Sequence, residues 1–245
     1  MNQKILLLLS VLTVVGLLVA FRAPVAADDM LTGAWQLQKG GEQQVLLFQD
    51  GYVTHTTFDK AGRRFIQTRG GTYALQPGKL TVSLEFDTKD KEKVGTTATY
   101  AYAVQQGQLN TAVSGADETW QRIDSGKEGL SGLWEITARK GENGLTPIHR
   151  TGTRKTIKIL SGMRFQWAAI DPGTKSFMGT GGGTYSFKDG KYTENIEFFS
   201  RDSSRVGNSL SFDGKLENGD WHHSGLSSRG EPIYEVWSRG SRVTR

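Results

Sequence analysis

Residues 182–198 read GGTYSFKDGKYTENIEF, and residues 70–86 read GGTYALQPGKLTVSLEF. The two stretches align without a gap at an offset of 112, with nine of seventeen positions identical. The chain therefore contains one unit twice. Working outward, Leu31-Thr32-Gly33-Ala34-Trp35 returns as Leu130-Ser131-Gly132-Leu133-Trp134. Asp59, Phe65 and Thr68 return as Asp171, Phe177 and Thr180, and Val94-Gly95 returns as Val206-Gly207. Glu118-Thr119-Trp120-Gln121-Arg122 returns as Glu235-Val236-Trp237-Ser238-Arg239. Copy one spans 31–122, a polar linker spans 123–129, and copy two spans 130–239 with longer loops near 140–154 and 226–232.

Within each copy, short runs rich in Val, Thr, Tyr, Phe and Trp alternate with Gly, Asp and Asn turns at intervals of about 8 to 12 residues. Helical periodicity is nearly absent beyond the N-terminal segment. The pattern predicts an all-β chain: two tandem, repeated, eight-stranded antiparallel up-and-down barrels. In copy two the strands are expected near 132–139, 155–160, 163–170, 177–187, 191–199, 206–216, 221–226 and 233–239. Hairpin-linked antiparallel strands lose their exposed edges by closing into a barrel. The thirty-one glycines suit turns and barrel bends. Gly179 to Gly183 is not read as a phosphate loop, because no helix follows it.

The N-terminus has the form of a secretory signal peptide, 1–27: Lys4, an apolar run from Ile5 to Ala20, and a small-residue exit at Val25-Ala26-Ala27. This implies a periplasmic or extracellular protein with no membrane segment after cleavage; retention of the segment as an anchor is the alternative. The chain has no cysteine, which excludes thiol chemistry and fits a bacterial envelope better than a disulfide-bonded eukaryotic secretion product. Lys4 and Arg22 leave with the signal peptide, which reduces the net charge from +5 to +3. So weak and scattered a charge argues against nucleic acid as a partner. The oligomeric state is left open.

G-x-W opens each copy (Gly33 and Trp35, Gly132 and Trp134), and an Arg ends each (Arg122, Arg239). In this the chain resembles the lipocalin (calycin) family, and more closely the compact lipocalin-like domains of uncharacterised secreted bacterial proteins. The resemblance implies a Trp at the closed end of each barrel with the Arg laid across it. A guanidinium stacks on an indole while its N–H groups satisfy backbone carbonyls.

Turn chemistry fixes which face looks inward. Asp189-Gly190 is a two-residue hairpin signal that pairs Phe187 with Tyr192 and Tyr185 with Glu194. Phe187, Tyr192, Tyr185, Glu194, Ile196 and Phe198 then share one face, and copy one has Leu75, Leu80, Tyr73, Val82, Leu84 and Phe86 there. That face is taken as the interior, so Glu194 replaces Val82 inside the second barrel. Asn218-Gly219 pairs Leu216 with Trp221 and Gly214 with His223 by the same logic. Tyr102 and Thr111 stand at the last two positions in copy one, so copy two trades a bulky Tyr for Gly and brings in an imidazole.

Copy one reads as a filled core around Tyr73, Val82, Leu84, Tyr100 and Tyr102. Copy two reads as a pocket lined by Trp167, Tyr185, Tyr192, Glu194, Trp221 and His223, with Tyr185 donating to Glu194. Apolar walls with a few convergent polar groups suit a small hydrophobic or amphipathic molecule. Three functions follow: a secreted binder of such a ligand; an acid/base enzyme of isomerase, hydratase or cyclase type using Glu194, His223 and Tyr185; or an envelope interaction protein with filled barrels. No metal set or cofactor is expected. His222 and His223 face opposite ways on a strand and cannot chelate one ion; a haem on His223 stays open as a variant of the binding reading.

Overall fold

The computed structural model describes residues 30–150 and 152–240. The signal peptide at 1–27 lies outside the described residues.

Copy one forms β1 (Gly33–Lys39), β2 (Glu42–Gln49), β3 (Tyr52–Asp59), β4 (Arg64–Gln76), β5 (Lys79–Asp87), β6 (Thr97–Gln105), β7 (Gln108–Thr111) and β8 (Glu118–Asp124). These strands pair in sequence order, and β8 returns to β1 to close an antiparallel barrel. Copy two forms β9 (Gly132–Gly141), β10 (Gly144–Pro147), β11 (Lys155–Leu160), β12 (Arg164–Asp171), β13 (Ser176–Lys188), β14 (Lys191–Phe199), β15 (Ser209–Glu217), β16 (Asp220–Leu226) and β17 (Pro232–Arg239). β17 pairs with β9 and closes a second eight-stranded barrel. The short strand β10 lies within the expected loop at 140–154. It pairs with the upper end of β9, beyond the point where β9 parts from β11.

The hairpin registers read from turn chemistry are the observed ones: Tyr185 opposite Glu194, Gly214 opposite His223, and Tyr73 opposite Val82. Asp189 and Asn218 adopt positive φ, each followed by a positive-φ glycine, as a type I′ turn requires. The pairing register shifts at three equivalent strand pairs in each barrel, and one of these shifts bears on the site. A β-bulge falls between Gly182 and Gly183 opposite β14, and its twin falls between Gly70 and Gly71 opposite β5. A Cβ on Gly183 would strike the Asn195 carbonyl oxygen, and one on Gly71 the Ser83 carbonyl oxygen. The repeated Gly-Gly is therefore a requirement for close strand approach at a bulge. The bulge inverts side-chain parity beyond Ile196, so Phe198 is not interior: it turns outward, and Phe199 turns in. Phe86 turns outward in the first barrel for the same reason.

Those outward rings join the two barrels. Phe198 packs against Phe58 and Phe65, and Phe86 stacks on Phe177. Phe65 and Phe177 are equivalent positions, as are Phe86 and Phe198, so the interface is a pseudo-two-fold contact between repeats. Val45, Leu47, Ile157, Ile159 and Ile170 complete its apolar layer. The residues inserted by the bulges, Glu85 and Glu197, face across it: Glu85 pairs with Lys155 at 2.8 Å, and Glu197 pairs with Lys60 at 2.8 Å and with Arg164. Burial pushes the Glu197 carboxyl up, but Arg164 and Lys60 outweigh it and hold the group below its usual range. The linker locks the arrangement. The Asp124 carboxylate accepts from Ser161 Oγ and from the backbone N–H groups of Gly162 and Met163.

The closed ends are built alike. Arg122 lies 4.0 Å from the Trp35 ring centre and Arg239 lies 3.9 Å from that of Trp134. Each indole donates to a carbonyl four residues back, Leu31 or Leu130, at 2.8 Å. Arg122 donates to Thr32 O at 2.8 Å and Arg239 to Ser131 O at 2.7 Å. The glycine of G-x-W is forced by contact: a Cβ at Gly132 would overlap the Arg239 guanidinium.

Candidate functional site

The interiors diverge above that shared base. In the first barrel Trp35, Leu46, Phe48, Val53, Tyr73, Leu75, Leu80, Val82, Leu84, Leu109 and Trp120 form one apolar cluster. Tyr100 and Tyr102 are partly buried against it. The second barrel holds a part-open cavity of about 280 Å3, walled by Trp167, Ile196, Phe199, Leu210, Phe212, Ile233 and Trp237. Its ionisable side chains are Arg139, Lys158, Glu194, Arg205, His223 and Glu235, and Thr156, Asn208, Ser227 and Ser228 add neutral polar groups.

Of the six residues singled out from sequence, Trp167, Glu194 and His223 line this cavity. Tyr192 and Trp221, both fully buried, do not line it; they form an aromatic layer packed against His223. The Tyr192 ring lies 4.8 Å from Trp221 and 5.6 Å from His223. Tyr185 does not line the cavity. Its hydroxyl donates to Ser161 O at 2.7 Å, and burial raises it to about 12. The expected bond from Tyr185 to Glu194 is replaced by one from Tyr192, whose hydroxyl donates to Glu194 Oε1 at 2.9 Å. Being opposite in register sets two Cβ atoms side by side but not the direction of a long ring. The acid/base set Glu194–His223–Tyr185 is therefore not assembled around one point.

Gly214 also differs from its expected role. A Cβ there would meet Phe187 at 3.0 Å and the Trp221 indole at 3.3 Å. Copy one has Tyr102, Leu75 and Leu109 where copy two has Gly214, Phe187 and Trp221. The volume given up by one side chain is taken by its neighbours, a compensated core swap rather than space for a ligand.

The sequence reading missed Lys158, which takes the place of Leu46 in the first barrel. It is 4 % exposed. Its Nζ donates to Glu194 Oε1 at 2.9 Å and lies 5.1, 5.1 and 4.9 Å from the ring centres of Tyr192, Trp221 and Trp237. A carboxylate and three aromatic faces thus surround one ammonium, which offsets the cost of removing it from water. The signal was present as a lone Lys in the apolar run Ile157-Lys158-Ile159-Leu160. Glu235 was read only as part of the terminal repeat motif. It accepts from Trp237 Nε1 at 3.2 Å and pairs with Arg139 at 3.2 Å. Burial opposes its charge, but the neighbouring cations, Lys158 and Arg139 among them, hold the carboxyl below its usual range. Phe199 was hidden by the bulge.

His223 stands out in this set because both of its ring nitrogens lack a hydrogen-bond partner. It is 2 % exposed, and no protein group hydrogen-bonds either ring nitrogen. Nδ1 stands 3.7 Å from Glu235 Oε2, beyond hydrogen-bond reach. The ring is packed 4.1 Å from Phe212. Burial, reinforced by the charge of Lys158, lowers its pKa against the pull of Glu235, so the imidazole is neutral at pH 7. A neutral imidazole offers one donor and one acceptor. Leaving both unmet in the interior costs about 1–3 kcal/mol per group. The inward His of the first barrel, His55, is instead bonded to Gln44 Oε1 at 2.9 Å and set edge-on to Trp120.

Among the described residues no cluster of three or more His, Cys, Asp or Glu is arranged to hold a metal ion. No described helix is long and apolar enough to cross a membrane. No protein-family model and no curated protein matches the chain. Among solved structures, a DnaN sliding clamp (DNA polymerase III subunit beta) from Pseudomonas aeruginosa bound to griselimycin aligns with 90 % of this chain and 79 % of its own. The identity is 8 % and the TM-score 0.14, a likeness that carries no argument.

Proposed function

We propose that the protein is a secreted binding module whose second barrel holds one compact, partly apolar molecule, with a polar group of that molecule on His223. The observation that carries this reading is the neutral, unpartnered His223 imidazole facing a cavity with aromatic walls. Buried polar groups are paired in the great majority of cases, and a ligand supplies the partner that no side chain does. The cavity volume of about 280 Å3 is at the low end for small-molecule sites, which suits one or two rings rather than a long chain. The Arg-on-Trp closure in both repeats and the twin barrels support a lipocalin-like binder. The leader-like sequence at 1–27 supports export to the periplasm or exterior.

Native mass spectrometry of protein purified from its own source tests the reading. One small molecule per chain is expected, retained in a His55→Phe variant and lost in His223→Phe. A bare chain mass under gentle ionisation, with no small molecule released on denaturation, contradicts it.

A further inference from the structure

The charged inventory of the cavity is unbalanced, and the imbalance has a sign. Both carboxylates are engaged: Glu194 accepts from Lys158 and Tyr192, and Glu235 from Arg139 and Trp237. The donors are not used up. Arg205, in the short 3-10 turn Ser203–Arg205 at the cavity mouth, gives its Nε to Asp202 at 3.0 Å and lies 5.3 Å from the Phe199 ring centre. Its Nη1 is buried and meets no acceptor in the protein. His223 adds one unmet N–H, and one unmet ring-nitrogen acceptor, from deeper in the same cavity. Three cations (Arg139, Lys158, Arg205) face the cavity against two carboxylates. The remaining carboxylate, Asp202, has a side chain 41 % exposed, where water weakens its counter-charge. The first barrel has Lys93 and Thr111 at the positions of Arg205 and His223.

From this we infer that the ligand is a compact organic anion, an aromatic monocarboxylate in chemical class. Its carboxylate accepts from Arg205 and His223, and its ring lies among Trp167, Phe199 and Trp237. The inference rests on the binding function proposed above and narrows it. A carboxylate brings acceptors to the two donors the protein leaves over and offsets the surplus cation. The aromatic walls favour a planar body stacked or edge-on. Approach is favoured as well. Where β9 and β11 part, Arg139 and Thr156 are shared with a neighbouring hollow that Arg150, Arg154 and Lys155 line against one carboxylate, Glu135. A positive approach of this kind raises the capture rate of anions.

Calorimetric titration of the full chain with 2-naphthoate and with 2-naphthamide tests this. The two probes share ring and shape and differ in charge. The carboxylate is expected to bind at least tenfold more tightly, with the advantage shrinking as salt is raised. In Arg205→Met, 2-naphthoate falls to the affinity of the amide while the amide is unchanged; Arg205→Lys falls between. Equal affinities in the unmodified protein overturn the anion inference and leave the binding function standing. Binding of neither probe also overturns it, and the native mass then decides whether the binding function falls too. The comparison of the two probes on the unmodified protein stands whether or not a variant folds.

Discussion

The two barrels share their strand order, bulge, closed end and interface, yet their interiors run in opposite directions of polarity. The first is hydrocarbon at mid-depth, with Leu46, Val82 and Leu80, and polar toward its rim. There Arg69 reaches from β4 to the Val113 carbonyl beside His55 and Asp87. The second is charged at mid-depth, with Lys158, Glu194 and Tyr192, and aromatic at the rim, where Trp167, Gly181 and Phe199 replace His55, Arg69 and Asp87. One scaffold thus tolerates either filling. The duplicated positions separate the residues that hold the barrel together from those free to make a site.

The strongest way to break the comparison is to make the second barrel resemble the first. Glu194→Val alone strands the Lys158 ammonium, and Lys158→Leu alone strands the carboxylate. Each is expected to cost about 3–5 kcal/mol in chemical denaturation, because one partner of a buried pair is left uncompensated. Lys158→Leu with Glu194→Val restores the composition of the first barrel and should come within about 1–2 kcal/mol of the unmodified protein, or exceed it. A double variant as unstable as either single would mean that the two groups do not act as a pair.

Acid sharpens the comparison next. Burial, with the charge of Arg69, lowers His55 to about 3, and His223 is lowered by burial. Unfolded His binds a proton near pH 6.5. The unfolded chain therefore takes up more protons than the folded one below that pH. Stability is full above 6.5 and falls as pH drops, by about 1.4 kcal/mol per pH unit for His55 down to about pH 3. Glu197 and Glu235, held low in the folded state, add their loss only below about pH 4.5. Between pH 6.5 and 4.5 the denaturation midpoint should drop in the unmodified protein and drop less in His55→Phe. An unchanged slope in that variant would remove His55 from the account.

Gly71→Ala and Gly183→Ala probe what the barrels share. Each pushes a methyl into a facing carbonyl, and both should cost about 1–3 kcal/mol or more, similar in the two barrels because the bulge is the same. Smallest of all is the stability effect of His223→Phe. Removing two unmet buried nitrogens should cost no more than about 1 kcal/mol and can raise stability, whereas His55→Phe loses the bond to Gln44 and should be clearly destabilising at neutral pH.

Repetition made the fold legible. Every position could be read against its twin, and Asp189-Gly190 and Asn218-Gly219 pinned the register, so Glu194 and His223 could be placed inside from sequence. What stayed hidden were events that a period of two does not encode. The bulge at Gly182-Gly183 inverts parity, sending Phe198 to the interface and Phe199 to the cavity. The reach of Tyr185 to Ser161 depends on side-chain direction, and the refilling of the Gly214 gap depends on three neighbours at once. Lys158 was within reach, since the same offset of 112 sets it against Leu46.

The central claim is that the second barrel admits an aromatic ligand where the first has an apolar core and, above it, a polar hollow of about 340 Å3 between Arg69, Asp87 and Lys93. The six tryptophan indole N–H signals report it in one nuclear magnetic resonance titration. On adding a mixture of 2-naphthoate and 2-naphthamide, the signals of Trp167 and Trp237 should move while those of Trp35 and Trp120 stay in place. Movement of Trp120 with Trp167 and Trp237 unmoved would contradict the account.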